Sequence, residues 1–183
     1  LETARYFFTG NPRGKWSPIN VLKSKEILII GAGPSIKSHK ELIEDFIIDK
    51  KPIVIGLNAT SEIDPKYIKI RAACHPVRLL TESHKYIKLK EPLITPYSML
   101  PNEVVSALKK KKIYDFGLTV QKGKFIVNNK HCILPNAHVI SYALAVAIAG
   151  NARKIYLAGI DGYVYDDPRK KESDEEIFLL YKL

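Results

Sequence analysis

The chain has 183 residues, of which 46% are hydrophobic and 26% are charged, a balance typical of a folded globular domain rather than a disordered segment. Its 29 basic and 19 acidic residues give a net charge of +10, which favours anionic ligands, although no nucleic-acid motif accompanies the charge and nucleic acid ranks last. The longest apolar runs span about six residues, far short of a transmembrane helix, and two cysteines without a spacing pattern exclude a disulfide scaffold.

The two ends of the chain indicate a domain that belongs to a longer protein. Leu1 is not a start methionine, and the chain stops within the apolar run 179–183. Residues 1–24 look irregular, because Ser17-Pro18 breaks any helix, and we expect them to be a linker or extension. We expect residues 25–183 to form one domain. The two cysteines, Cys74 and Cys132, fit a reducing cytoplasm, where we expect the chain.

The first half of the domain alternates apolar runs with amphipathic segments. Continuous apolar runs predict buried parallel strands at 25–30, 53–57 and 67–74. Between the first two, Ser38-His39-Lys40-Glu41 has the form of a capping box and predicts a helix with Leu42 on its apolar face. The prolines between 76 and 101 predict short strands and loops over 77–100 rather than helices.

The second half continues the alternation. A helix is predicted over 102–111, with solvated lysines at its end, followed by strands at 113–116 and 124–127. Asn136 is the predicted cap of a small-residue helix over 137–149. A buried strand follows at 155–158, and a charged loop and a helix are predicted beyond it. This pattern indicates an α/β fold, with a Rossmann-like, mostly parallel sheet and helices on both faces.

Ligands of such sheets bind outside the carboxyl ends of the strands, so the residues that directly follow the predicted strands are the candidate site. These residues are Gly31, Ala32, Gly33, Pro34 and Ser35, then Asn58 to Ser61, His75-Pro76, and Gly159 to Tyr163 with Asp161 among them. The sequence contains no Ser-His-Asp arrangement, no spaced pair of carboxylates and no cluster with metal-ligand spacing. We therefore predict no metal.

The glycine turn at Gly31–Ser35 favours a phosphate-containing ligand. Glycines allow a backbone to approach a phosphate, and the helix that follows offers free amides. However, Ile36 replaces the third glycine of the dinucleotide fingerprint, and Asn58 stands where an acidic residue would hold a ribose. A nicotinamide or flavin cofactor is thus disfavoured, and no other cofactor is specified. A mononucleotide, a nucleotide-sugar and a purely structural turn remain open.

Polar residues near the other strand ends have both functional and structural interpretations. Asn58 can bind a base or ribose, or form an Asx turn. His75 is the candidate general base, because histidine titrates near neutral pH, although a structural histidine is the alternative. Structural roles are favoured for Asn136 and for His138, which is predicted in the first turn of its helix. Asp161 can bind a hydroxyl, a metal ion or the amides of its own turn.

Two segments of the chain carry a family resemblance. Residues 26–36 read Glu-Ile-Leu-Ile-Ile-Gly-Ala-Gly-Pro-Ser-Ile, and residues 154–163 read Lys-Ile-Tyr-Leu-Ala-Gly-Ile-Asp-Gly-Tyr. Both resemble motifs of the bacterial lipooligosaccharide sialyltransferases, and motility accessory factors and archaeal pterin diphosphokinase-like domains share a similar outline. The resemblance implies a single Rossmann-like domain that binds CMP or a CMP-sugar. It also implies a glycosyltransferase that acts in cell-surface sugar assembly.

The resemblance implies nucleotide contacts at particular positions, namely Gly31, Gly33, Pro34, Ser35, Asn58 and Tyr163, the last beside the donor phosphate. The chain departs from the family at three points. Ala32 replaces an asparagine between the two glycines, and His138-Val139 align with a Thr-Ser pair. The family's catalytic histidine lies in a lid after the last motif, where this chain has a short charged loop.

A second resemblance involves the Gly-Pro-Ser turn and the run Pro52-Ile53-Val54-Ile55 that leads to Asn58. Both are similar to the C-terminal part of bacterial proteins whose N-terminal part is a pyruvate-type aldolase barrel. This resemblance implies a non-catalytic module of a putative aldolase (lyase), of the 4-hydroxy-2-oxovalerate or hydroxymethylglutaryl-CoA lyase type, with residues 1–20 as the linker. Whether the chain is a transferase or such a module stays open, and so does a homo-oligomeric state.

Overall fold

The computed structural model describes residues 8–162 of the chain. Its main element is a six-stranded sheet in which all neighbouring strands are parallel. The strands are β1 (Glu26–Ile30), β2 (Ile53–Leu57), β3 (Ile70–Ala72), β4 (Leu93–Thr95), β5 (Ile113–Asp115) and β9 (Lys154–Ala158). They lie side by side in the order β5-β4-β3-β2-β1-β9. The α/β, Rossmann-like fold predicted from the sequence is confirmed.

Helices connect these strands, and a small second sheet lies between β5 and β9 in the chain. The helices are α1 (Ile19–Leu22), α2 (Ser35–Ser38), α3 (Lys40–Lys50), α4 (Pro76–Thr81), α5 (Ser83–Lys88), α6 (Asn102–Ala107) and α7 (Val139–Ala149), with 3-10 turns at Pro65–Tyr67 and Tyr97–Met99. The second sheet contains β6 (Gly117–Val120), β7 (Ile126–Val127) and β8 (His131–Leu134). Within it, β8 pairs parallel to β6 and antiparallel to β7.

Alternating side chains divide the core into two halves. On β1, Ile27 and Ile29 pack in the cluster that contains α7, whereas Leu28 and Ile30 pack in the cluster that contains α2 and α3. Because consecutive side chains of a strand point to opposite faces, helices cover both faces of the sheet. The continuous apolar run of β1 reflects this burial on both sides.

The strand order reverses at β1. From β1 the chain moves stepwise to β5 on one side, and it returns through α7 to β9 on the other side. The connections on the two sides of β1 therefore leave the sheet in opposite directions, and a crevice opens at the carboxyl ends of the strands. The residues after β1 and β9 flank this switch point.

The segment 77–100 corrects the sequence prediction in part. It contains the short strand β4, as expected, but it also holds α4 and α5 where strands and loops were expected. Pro76 is the first residue of α4. The first residue of a helix has no partner for its amide, so proline is tolerated there and fixes a suitable φ. Pro18 likewise stands at the N-terminal boundary of α1, in a region predicted to be without a helix.

The capping box predicted at Ser38 is also wrong. Ser38 is already helical, as the last residue of α2, and His39 separates α2 from α3 without a side-chain cap bond. On the predicted apolar face, Leu42 is 68% exposed instead of buried, whereas Ile47 is buried. The helix predicted over 102–111 ends at Ala107, and Lys111, predicted to be solvated, is buried with its Nζ donating to the carbonyl of Leu89.

Parts of the chain that were predicted as linker or loop have defined structure. Phe8 is fully buried, and Trp16 stacks on Tyr114 with ring centroids 4.5 Å apart. Strands β6 and β8 were missed, and the strand predicted over 124–127 is shortened to β7. The reason is that β6 and β8 are stabilised by pairing with each other across the intervening β7 segment, which a local pattern does not reveal.

A buried ion pair lies within the main sheet. Arg71 on β3 is 1% exposed, and its Nη2 is 3.5 Å from Oε1 of Glu91, which precedes β4 and is 9% exposed. Burial lowers the pKa of Arg71, and the nearby Glu91 carboxylate opposes that shift. A buried cation that loses its counterion is strongly destabilising. Glu91 therefore compensates the charge that β3 places in the interior.

The variant Glu91→Gln tests this compensation. We expect it to lower the free energy of unfolding by about 3 kcal/mol, because Arg71 stays charged and buried without a counterion. The matched control is Glu82→Gln, which removes a partly exposed ion pair with Lys85 and should cost less than about 1 kcal/mol. Urea denaturation measures both values, and equal losses would contradict the prediction.

Candidate functional site

The turns after β1 and β9 pack closely against each other. The amide of Gly31 donates to the carbonyl of Ala158 at 2.9 Å, and the amide of Gly33 donates to the carbonyl of Gly159 at 3.0 Å. A Cβ on Gly31 would lie 2.3 Å from the carbonyl oxygen of Gly159, a distance that no side chain tolerates. Gly31 is therefore required by the close approach of two backbones.

Asp161 closes the glycine turn. One carboxylate oxygen accepts from the amide of Ser35 at 2.7 Å, and the other accepts from the hydroxyl of Ser35 at 2.5 Å. These two bonds hold the pKa of Asp161 below its ordinary value of 3.8. A Cβ on Gly33 would lie 2.3 Å from Oδ2 of Asp161, so a glycine is needed here as well.

The carboxylate of Asp161 thus occupies the donors that the sequence analysis assigned to a phosphate. A phosphate at the amide of Ser35 would face this carboxylate at close range and be repelled by it. A carboxylate has about four lone-pair positions, so after accepting from Ser35, Asp161 can still accept from a ligand hydroxyl. The arrangement fits a sugar hydroxyl better than an anion.

Asn58 ends β2 at the same edge of the sheet. Its φ of 60° is left-handed, a conformation that asparagine tolerates better than most residues. The amide of Asn58 donates to the carbonyl of Ala72 at 2.9 Å, and Nη1 of Arg71 donates to the carbonyl of Asn58 at 3.3 Å. Its backbone is therefore fixed from both sides, and its half-buried side chain stands at the end of β2.

His75 follows β3, as the sequence predicted, and it precedes α4, which the sequence did not predict. Its side chain is half-buried, and Nδ1 is fully buried with no hydrogen-bond partner among residues 8–162. Burial, and then the positive charge of Arg78, lower the pKa of His75 below 6.5. The ring is therefore neutral at pH 7, the state that a general base requires.

The N-terminus of α7 reaches the same edge. The thiol of Cys74, just after β3, donates to the carbonyl of Ala137 at 3.3 Å. His138 is the N-cap residue of α7 and makes no side-chain cap bond, so the predicted cap at Asn136 is wrong. The loop after β8 must cross to Cys74 before the helix can start. The first amides of this 11-residue helix lack intrahelical partners and carry its positive dipole end.

The carboxyl edge of the sheet thus gathers candidate residues in two groups. The first group follows β1 and β9, and the second follows β2 and β3 and begins α7. The first group contains Gly31, Ala32, Gly33, Pro34, Ser35, Gly159 and Asp161, and the second contains Asn58, His75 and His138. Tyr163 and the predicted last helix lie outside the described residues. Within residues 8–162, no group of three His, Cys, Asp or Glu side chains could hold a metal ion.

Sequence analysis missed two hollows that flank the second sheet, each of about 670 Å³. They share Lys130 and His131 at the start of β8. One is lined by residues from 127–131 and 148–149, and the other by residues from 12–15, 97–105 and 130–131, so local motifs carry no signal for them. The one related signal in the sequence is the net positive charge of the chain.

The chain matches no protein-family model and no curated protein sequence. The resemblances to sialyltransferases and to aldolase-linked domains therefore stay predictions that rest on the residues quoted for them. In residues 8–162 no helix combines the length and apolarity needed to cross a membrane.

The low pKa of His75 predicts a pH dependence of stability. The unfolded chain binds a proton on His75 near pH 6.5, whereas the folded chain binds it only at lower pH, so the free energy of unfolding falls as pH drops through this interval. We expect His75→Asn to lose less stability than the parent chain between pH 7 and pH 5. Urea denaturation at both pH values measures this. The exposed control His84→Asn should keep the parent dependence, and a parent-like His75→Asn would contradict the prediction.

The hydrogen bond from the Ser35 hydroxyl predicts how the pKa of Asp161 changes when that hydroxyl is removed. In Ser35→Ala the largest cause of the low pKa is lost, while the amide bond remains, so the pKa of Asp161 should rise towards 3.8. Carboxyl-carbon NMR titration measures the change. Asp64, whose pKa is lowered by Lys66, is the internal reference and should not move. An unchanged Asp161 would show that the hydroxyl bond has no role.

Proposed function

We propose that this chain binds a nucleotide or nucleotide-sugar in the crevice at the carboxyl ends of β1, β2, β3 and β9. The observation that carries the proposal is the reversal of strand order at β1, with the start of α7 brought to the same edge. Parallel sheets bind their ligands at such switch points. The positive dipole end of α7 supplies a position for a phosphate there.

The two groups of residues suggest a division of roles. The phosphate lies against the first amides of α7, because Asp161 already occupies the amide and hydroxyl of Ser35. Asp161 accepts from a sugar hydroxyl with its remaining lone pairs. The amide side chain of Asn58 donates to and accepts from the base or ribose. A CMP compound is the ligand that the resemblance favours.

Glycosyl transfer is the reaction that this arrangement supports. The acceptor hydroxyl would lose its proton to the neutral ring of His75 as its oxygen bonds to the anomeric carbon of the donor. The bond between that carbon and the phosphate oxygen breaks at the same time, and the electron pair stays on the phosphate. The positive end of the α7 dipole then stabilises the leaving nucleotide.

A non-catalytic module attached to an aldolase is the second candidate. It is favoured by the start of α7, where His138-Val139 stand in place of the hydroxyl pair of the sialyltransferases. Without those hydroxyls, the phosphate has fewer donors, and binding without turnover becomes the simpler function. The two candidates share the crevice and differ in whether CMP is released from a CMP-sugar.

Thermal unfolding against a panel of ligands tests the shared binding function. The panel contains CMP, CDP, CMP-sialic acid, UDP-sugars, GTP, NAD and a short DNA. A ligand at about 100 times its Kd adds roughly 2.7 kcal/mol, which raises Tm by several degrees for a chain of this size. We expect only the CMP compounds of the panel to raise Tm. No shift with any nucleotide would overturn the proposal.

A matched pair of variants locates the binding. Asn58→Gly removes the side chain and keeps the left-handed backbone, and we expect it to weaken CMP binding at least about tenfold, the loss of roughly one good polar contact. The control Asn151→Gly removes an asparagine of the same conformation (φ 52°) on the opposite edge of the sheet, and it should bind normally. If both variants bound CMP with the same affinity, Asn58 would not be part of the binding site.

An assay of CMP release from CMP-sialic acid, with a panel of sugar acceptors, separates the two candidates. If the chain is a transferase, His75→Ala should lower the turnover number much more than it changes CMP affinity, because the ring acts on the acceptor proton. Binding of CMP without release in any acceptor mixture would favour the module.

A further inference from the structure

One of the two hollows lies at the carboxyl ends of β4 and β5, apart from the crevice described above. We define it as the basic hollow. Its volume is about 670 Å³, within the usual range for a small-molecule site. It is lined by Pro12, Arg13, Gly14, Lys15, Tyr97, Ser98, Leu100, Asn102, Val105, Lys130 and His131. Since β5 is four strands from β1, about 19 Å along the sheet separate the end of β5 from the glycine turn after β1, although β4 is the neighbour of β3.

The walls of the basic hollow are held in place by Asp115 at the end of β5. Its carboxylate accepts from the amide of Ser98 at 3.0 Å and from the hydroxyl of Ser98 at 2.5 Å. Its carbonyl accepts from the amides of Lys15 and Trp16, each at 3.0 Å. One buried residue thus joins the 3-10 turn after β4 to the segment that precedes α1.

Close backbone packing fixes the same segment from the other side. A Cβ on Gly14 would lie 2.1 Å from the carbonyl oxygen of Lys130 and 2.5 Å from the amide nitrogen of Gly117. The amide of Gly117 also donates to the carbonyl of Lys130 at 2.8 Å. The backbones that carry Lys15 and Lys130 are therefore joined, and the hollow is present before a ligand arrives.

The charge of the basic hollow is of one sign. Arg13, Lys15 and Lys130 line it, and none of them forms an ion pair with the residues at 8–162. No acidic side chain is among its lining residues. The carboxylate of Asp115, which accepts from the lining residue Ser98 with both oxygens, is one negative charge beside the hollow. Three cationic side chains outweigh it, so among residues 8–162 the hollow keeps an excess of positive charge that favours an anion.

His131 adds a donor to this charge. The side-chain amide nitrogen of Asn128 lies 3.0 Å from Nε2 of His131 and donates to it, since an amide NH₂ has no acceptor. In the neutral ring the proton is then on Nδ1, which makes Nδ1 a donor for an anionic oxygen. The basic hollow therefore combines three cationic side chains with a ring donor.

We propose that the basic hollow is a second ligand site, which binds the phosphate group of a small phosphorylated molecule. Its concave shape and confined charge favour a small anion over a nucleic acid, whose backbone requires a longer basic track. The site does not depend on the crevice at β1, because it shares no residue with it. This site would give a function to three cationic side chains that contribute to the net positive charge of the sequence.

Titration of the full chain with inorganic pyrophosphate tests the proposal. Backbone amide NMR at low salt should show shifts that saturate at residues 13–15, 97–98 and 130–131, independently of any shift at residues 138–141, the start of α7 where the proposed function places its phosphate. A short single-stranded DNA is titrated in parallel. Shifts confined to the start of α7, or no saturable shift, would overturn the proposal, and so would tighter binding of the DNA at the same residues as pyrophosphate.

Two double variants with equal charge change provide the control. Arg13→Gln with Lys130→Gln should weaken pyrophosphate binding about tenfold or more, because two cationic donors are removed. Lys122→Gln with Lys124→Gln removes the same charge from the exposed loop before β7 and should change the affinity less than about twofold. If both double variants weakened pyrophosphate binding equally, the effect would be one of net charge alone, and the proposed site would be overturned. Because neither pair touches the β1 crevice, CMP binding should be unchanged in both, which separates this test from that of the proposed function.

Discussion

The carboxyl edge of the main sheet depends on the contact between two backbones, those that leave β1 and β9. Gly31 and Gly33 lie so close to Gly159 and Asp161 that any Cβ would collide with them. This contact holds the end strand β9 on β1 beyond the last strand pair, and it brings Asp161 onto Ser35.

Charge is distributed unevenly along this edge. At β1 and β9, the carboxylate of Asp161 is bound within the protein and repels a further anion. At β2 and β3, the positive dipole end of α7 and the neutral ring of His75 bring no negative charge, and this is where we propose that a phosphate binds. Farther along, Asp115 accepts from Ser98 with both oxygens, and the three cationic side chains that line the basic hollow outnumber this one carboxylate. The charge along this edge therefore differs from strand end to strand end.

The local sequence pattern was sufficient to predict the buried strands. It failed where a turn or a contact with a distant segment determines the structure. The apolar runs of β1 and β2 were predicted almost to the residue, because strands buried on both faces require continuous apolar sequence. Pro76 was misread, because proline both ends and begins helices, and only the surrounding chain decides between the two. Lys111 looks like a solvated lysine in sequence, yet the neighbouring strands bury it against Leu89.

The sequence by itself determined the α/β class, the glycine turn and the strand-end positions of Asn58, His75 and Asp161. These follow from side-chain period and from the conformations that glycine and asparagine allow, which are properties of short segments. Only the tertiary structure decided that Asp161 binds Ser35, that α7 begins at His138 beside Cys74, and that Arg13 and Lys130 share a hollow. Each of these contacts joins segments separated by scores of residues, and their distance is set by strand order and packing rather than by any local preference.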